Sequence, residues 1–345
     1  MSRLHTAAAA AVALIWGVNF VVIHVGLQTA PPLLLAALRF TLVAALLAPF
    51  VRRPALPWQR LLVLGLTLYV GQFALLFTAM DRGLSAGLAA VVLQSQAVFT
   101  FAGAVVVLDE RPARVQVAGI GLAAAGLAAL GIDCAGRLDL GGFLLALGGG
   151  ASWAVGNLVA RRSGTGQGLG LVVWGSVVAA PPLALLALLR AGGPRQVLHA
   201  LGGIDGSGWA ALGYLVVMAT VVGFGTWSAL LGRYPAATVA PFTMLVPPVG
   251  LLTAWLALGE RPSGVALAGS AAVVAGLVWP QVAQRRTAAR TVPATAAGQD
   301  DRAGQASRAL QDNVADQDGR AGQASGTISG APTRTASAAS SSNCS

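Results

Sequence analysis

The sequence has no lysine; all 22 of its basic residues are arginine. Acidic residues are scarcer still, 12 in 345, and those before position 281 (Asp81, Asp109, Glu110, Asp133, Asp139, Asp205 and Glu260) stand at the edges of apolar runs or between them. With no carboxylate inside an apolar run there is no buried acid–base pair, which speaks against an intramembrane hydrolase. The three histidines, His5, His24 and His199, lie far apart, with no His-Glu-x-x-His, nucleophile elbow or phosphate loop. No catalytic residue, metal site or cofactor is therefore expected. Two cysteines, Cys134 and Cys344, make neither a disulfide framework nor a metal-ligand spacing. A net charge of +10 could suggest nucleic acid, but the arginines are scattered among short loops with no basic stripe, a pattern that suits a membrane surface and excludes a nucleic-acid partner.

What the chain has in abundance is apolar length. It is 56% hydrophobic and 10% charged, with mean hydropathy +0.72, the composition of a polytopic membrane protein. A helix of ~20 residues spans the hydrocarbon layer. Ten runs of that scale follow one another at about 6–26, 33–51, 61–80, 85–107, 114–132, 140–160, 169–189, 209–231, 236–258 and 264–283. Prolines and glycines punctuate the joints, at Pro31-Pro32, Pro54, Pro57, Pro112, Gly192-Gly193-Pro194 and Pro262. The first run is long, lacks a small-residue cleavage site and contains Trp16 and Asn19, so it reads as a retained span rather than a signal peptide.

Two halves are visible. Leu108-Asp109-Glu110-Arg111-Pro112 and its following run, moved forward by 150 residues, fall on Leu258-Gly259-Glu260-Arg261-Pro262 and its own, with ten identities in twenty positions. Each Glu-Arg-Pro reads as the hinge before the last span of its half. If the N-terminus is cytoplasmic, the inner segments hold Arg3, Arg52, Arg53, Arg60, Arg111, Arg114, Arg161, Arg162, Arg233, Arg285, Arg286 and Arg290, against Arg82, Arg137, Arg190, Arg195 and Arg261 outside. Both termini are then cytoplasmic, and five spans per half put Glu110 and Glu260 on opposite faces. The expected fold is an all-α polytopic membrane protein of ten transmembrane helices in two inverted five-helix repeats, 1–133 and 134–283. Beyond it, 284–345 is a polar tail expected to be disordered.

Inside the spans polar residues are few. Trp16 and Asn19 share a face of the first, and Trp153 and Asn157 one of the sixth, the opening spans of the two halves. Gln72 lies in the third, Gln94, Ser95 and Gln96 in the fourth, and Thr226 and Trp227 in the eighth. On a regular helix Gln94 and Gln96 point to nearly opposite sides, so at most one faces a central cavity. Such residues either line a cavity or act as interhelical hydrogen-bond glue, worth ~0.6 kcal/mol each. Arg39, inside the second span, must snorkel, pair with a group such as Asp81, or contact a substrate carboxylate. Pro241, Pro247 and Pro248 remove backbone donors from the ninth span and should kink or break it.

Together these residues carry a resemblance. Trp16-Gly17-Val18-Asn19-Phe20, Pro31-Pro32 before Leu38-Arg39-Phe40, Gln94-Ser95-Gln96-Ala97, the paired Glu-Arg-Pro hinges, Trp153 with Gly156-Asn157, and Leu231-Gly232-Arg233-Tyr234 leading to Pro241 and Pro247 resemble the EamA family of the drug/metabolite transporter superfamily over about residues 4–283. The resemblance implies a cavity between inverted repeats, lined by spans 1, 3, 4, 6, 8 and 9, and efflux of a small amino-acid metabolite of the O-acetylserine or cysteine kind across the bacterial inner membrane. The implied partners are a small-molecule substrate and the lipid bilayer. The alternatives are a broader amino-acid or multidrug exporter, or a membrane scaffold whose tail binds a partner. No buried carboxylate marks a proton relay, and neither the energy source nor an oligomeric state follows from the sequence.

Overall fold

The computed structural model describes residues 1–137, 140–163 and 168–283; the polar tail at 284–345 lies outside the described residues. Among the described residues every regular element is helical. Nine helices among the described residues are long and apolar enough to cross a membrane: Arg3–Leu27, Trp58–Asp81, Ala86–Val107, Arg114–Ala135, Leu140–Arg162, Leu169–Ala191, Gly206–Arg233, Pro241–Leu258 and Gly264–Ala283. A shorter apolar helix, Pro32–Leu47, stands second in the order and completes the ten. It is short because Pro31-Pro32 set its start and Pro49 follows its end. A small surface helix, Pro194–Gly202, separates the seventh span from the eighth. The fifth span runs to Arg137, so a boundary between halves at 133/134 falls within the helix Arg114–Arg137.

The surface is that of a chain dissolved in lipid. Leu4, Val106, Ile132, Leu189 and Leu256 are at least two-thirds exposed, whereas Arg39, Gln72, Gln94 and Ser95 are buried. Water would not tolerate so much apolar surface, and hydrocarbon would not tolerate those polar groups outside.

Departures from regular helix recur five spans apart. The third span widens to π geometry over Leu66–Gly71 and the eighth over Leu215–Val222. The fourth is interrupted at Leu93 and Gln94, between Ala86–Val92 and Ser95–Val107. The ninth is interrupted by a 3₁₀ segment, Ala240–Leu245, between Ala236–Val239 and Val246–Leu258. The hinges match as well. Asp109 has φ 53° and Gly259 φ 67°, and the amide of the next residue closes the same wide turn in each: Glu110 N to Ala104 O at 3.2 Å, Glu260 N to Ala254 O at 3.3 Å.

Packing follows the same exchange. The second span lies against the seventh, the third and fourth against the sixth, the first against the eighth and ninth, and the fourth against the ninth. Adding five to each number returns the same set. The fifth and tenth spans approach through glycine: a Cβ on Gly126 would meet Gly269 O at 2.6 Å, and one on Gly269 would meet Gly126 O at 2.9 Å. Side chains are excluded there by backbone, so the two closing spans touch along their bare faces.

Candidate functional site

The first, third, fourth, sixth, eighth and ninth spans, joined by Arg39 of the second, enclose a cavity of ≈ 220 Å³. Drug-sized sites run ~300–1,000 Å³, so this one suits cargo of few heavy atoms. Of the residues singled out in the sequence, Trp16, Asn19, Arg39, Gln72, Gln94, Trp153 and Trp227 line it.

Each wall has a local cause. A π segment breaks the regular i→i−4 ladder, and carbonyls within it accept side chains from neighbouring spans. In the eighth span Ala219 O accepts Trp16 Nε1 at 3.1 Å, and the Trp16 ring rests beside Phe224 and Trp227, with centroids 5.0 and 5.3 Å away. In the third span Thr67 O accepts Ser152 Oγ at 2.8 Å, tying the sixth span to the third as Trp16 ties the first to the eighth. Next to Ala219, Thr220 gives its hydroxyl to Leu215 O at 2.8 Å and receives Arg39 Nη2 at 3.4 Å.

Arg39 neither snorkels nor meets Asp81. It is 3% exposed, and its guanidinium carbon lies 4.6 Å from the Phe73 ring centroid and 5.4 Å from that of Phe40. Its Nε and Nη1 have no hydrogen-bond partner, and neither does the buried Oδ1 of Asn19. Asp81, one of the partners the sequence offered, is exposed at the end of the third span.

Gln94 and Gln96 both reach the cavity, contrary to the expectation from a regular helix. The interruption explains it. Gln94 N bonds to Val91 O, Gln96 N to Leu93 O and Ala97 N to Gln94 O, all three-residue turns. At 3.0 residues per turn, positions two apart diverge by ~120° rather than ~160°. Asn157, in contrast, stands outside this cavity. Its Nδ2 donates to Gln96 Oε1 at 2.9 Å and to Thr100 Oγ1 at 3.4 Å, and Gln96 faces both the cavity and a wider cleft that runs past Thr100 to Glu110, Arg111 and Arg161. Trp16 and Asn19 are three apart and Trp153 and Asn157 four, so the second asparagine is turned ~100° further about its helix.

The ninth span contributes Thr243, Met244 and Val246, not its prolines. Pro241 sits in the first turn of the 3₁₀ segment, and Pro247 and Pro248 in the first turn of Val246–Leu258, where no donor is needed. Tyr69, Phe73, Phe20 and Phe224 line the cavity without having been singled out. Tyr69, Gln72, Phe73 and Leu76 follow helical spacing, so a stripe drawn through Gln72 would have found them.

The two hinges differ in what their carboxylates do. Glu260 accepts Ala86 N at 2.7 Å and Gly87 N at 3.0 Å, while Ser85 Oγ takes Leu88 N at 3.4 Å, capping the start of the fourth span. Contrary to the reading of the sequence, the Gly-x-Ser-x-Gly spacing of a nucleophile elbow does occur, at Gly83-Leu84-Ser85-Ala86-Gly87, but among the described residues no strand precedes it and Ser85 serves as this cap. Glu110 instead pairs with Arg161 Nη2 at 2.7 Å, both side chains nearly half exposed.

The EamA-like transporter family model matches the chain twice, over residues 5–132 and 140–279. A protein of Salmonella typhimurium named a probable amino-acid metabolite efflux pump is 44% identical over 284 residues, covering 80% of this chain and 94% of that protein. One of the same name from Escherichia coli K12 is 41% identical over 283 residues, with the same coverage. A crystal structure at 22% identity, covering 83% of this chain and 99% of its own, superposes with a TM-score of 0.57 and shares the fold.

Proposed function

The chain belongs to the EamA-like transporter family, and on that premise we propose that it exports small amino-acid metabolites, of the O-acetylserine and cysteine kind, across the bacterial inner membrane. It is a transporter rather than an enzyme. The observation that carries the reading is the cavity of ≈ 220 Å³ between the two halves, in which Asn19, Gln72 and Gln94 offer hydrogen bonds and Trp16, Trp153 and Trp227 form the apolar walls. The efflux-pump names of the relatives at 44% and 41% identity point to the same cargo class.

Transport is by alternating access between halves 1–133 and 134–283, with both termini cytoplasmic. The hinges support it. Glu260 caps the amides of residues 86 and 87; by the 150-residue offset of the repeat, the counterpart of Glu260 is Glu110 and the counterparts of those amides are the backbone amides of residues 236 and 237. In the conformer described, the Glu260 end is latched and the Glu110 end borders the open cleft. In the other, the roles exchange: Glu110 leaves Arg161 and caps the ninth span, and Glu260 releases the fourth.

Counterflow in proteoliposomes tests the cargo. Labelled L-cysteine or O-acetyl-L-serine should exchange against internal unlabelled solute, and Asn19→Leu should reduce the rate. No exchange above protein-free liposomes for any amino acid in a broad panel sinks the reading.

A further inference from the structure

A cation buried without a counter-charge needs an explanation. Arg39 is 3% exposed and lines the cavity, yet no carboxylate among the described residues pairs with it. Its support is two aromatic faces, Phe73 and Phe40, and one long hydrogen bond to Thr220, and two of its three nitrogens have no partner. Cation–π contact offsets part of the desolvation of a guanidinium but leaves its in-plane N–H donors unmet, because aromatic faces accept at the π cloud and not at the edge. The guanidinium fork matches a carboxylate edge-on, with two parallel bonds. Asn19, whose Oδ1 is also buried and without a partner, lines the same cavity. Donors without an acceptor and an acceptor without a donor, in one small cavity, are complementary to a zwitterion.

We propose that Arg39 is the carboxylate subsite of the cavity and Asn19 Oδ1 an acceptor for the cargo's ammonium group, so that the protein selects free α-amino acids and discriminates against their carboxamides. This rests on the export reading above and adds to it the feature of the cargo that is read. Thr220 and the rings of Phe40 and Phe73 hold the guanidinium in place when the cavity is empty. A structural arginine would be satisfied by those contacts; two of its nitrogens would not be left buried without a partner.

The test is competition for labelled L-cysteine exchange in proteoliposomes by L-cysteine and by L-cysteinamide, which keeps the amine and thiol and removes the carboxylate. For the wild-type protein the amide should compete ~10- to 100-fold more weakly, as expected for lost charge-assisted hydrogen bonds. In Arg39→Gln the ratio should collapse to within roughly threefold, because the fork no longer distinguishes the two. If Arg39→Gln does not fold, Arg39→Lys carries the comparison: it keeps the charge on an unforked head and should show a weakened preference. Equal competition by the amide in the wild-type protein overturns the carboxylate subsite while leaving export intact. An unchanged ratio in the folded Arg39 variants assigns carboxylate recognition elsewhere and overturns it too. Failure of every amino acid to exchange overturns the export reading along with this one.

Discussion

Replacing Glu260 with alanine separates what the two hinges do. In this conformer the Glu260 carboxylate satisfies the first two amides of the fourth span at 2.7 and 3.0 Å, and Ala86 and Gly87 are buried. Hydrogen bonds to a charged group contribute ~1.5–3 kcal/mol each, and loss of an ordinary N-cap costs ~0.5–2 kcal/mol. Glu260 is only half-buried, so some water returns to the amides, and the combined loss should be about 2–4 kcal/mol. Glu110 makes no such cap here; its bond runs to Arg161 between two exposed side chains, where an ion pair is worth about 0–1 kcal/mol. Glu260→Ala should therefore raise this conformer relative to the alternative by one to three decades of equilibrium constant, at ~1.4 kcal/mol per decade. A single cysteine at Thr100, which lines the open cleft, reports the shift once Cys134 and Cys344 are replaced. Its labelling rate from the Glu110 side should fall in Glu260→Ala and fall less in Glu260→Gln, because a neutral acceptor makes bonds about half as strong. Glu110→Ala should leave the rate unchanged or raise it. Equal falls in Glu260→Ala and Glu110→Ala, or no change in either, would refute the exchange of caps.

Other consequences are local. Asp109 is the one non-glycine among the described residues with positive φ, and its counterpart is Gly259, so Asp109→Gly should stabilise the purified protein by roughly 0.5–1 kcal/mol, measured by thermal unfolding in detergent. Gly126→Leu should destabilise by about 1–3 kcal/mol, since its Cβ would stand 2.6 Å from a backbone oxygen that cannot move aside, whereas Gly121→Leu, with nothing within 4 Å, should be close to neutral in the same assay. Asp205 caps the eighth span, and the Gly208 amide first, then the Ser207 hydroxyl, hold its carboxyl below the usual range. A depressed folded value means the cap stabilises above the unfolded carboxyl's ~3.9 and is lost as pH falls through the folded value. The thermal advantage of wild type over Asp205→Ala should thus be flat at neutral pH and shrink only in acid; an advantage that grows on acidification contradicts the sign.

How much of this was legible depends on what each feature needs from the sequence. The spans were, because a bilayer demands ~20 apolar residues in a row and leaves few other readings. The repeat was, because Leu108–Leu127 and Leu258–Leu277 keep the same register over hinge and glycine face. The cavity was legible in part, since Trp16, Asn19, Gln72 and Gln94 are conspicuous among leucine and alanine, while Tyr69 and Phe73 look like any aromatic in a membrane helix. What stayed hidden is helix phase. Pro241 announces the interruption of the ninth span, but Ala89-Ala90-Val91-Val92-Leu93-Gln94 holds neither proline nor glycine, and the fourth span is interrupted there all the same. Nor does any residue type mark the π segments at Leu66–Gly71 and Leu215–Val222. Phase decides which amides share the cavity: the interruption brings both Gln94 and Gln96 to it, and one extra residue between Trp153 and Asn157 turns that amide onto Gln96. Composition is unchanged by either. A mutational test of this cavity should therefore take its residues from helix phase, with Gln96 and Phe73 in and Asn157 out.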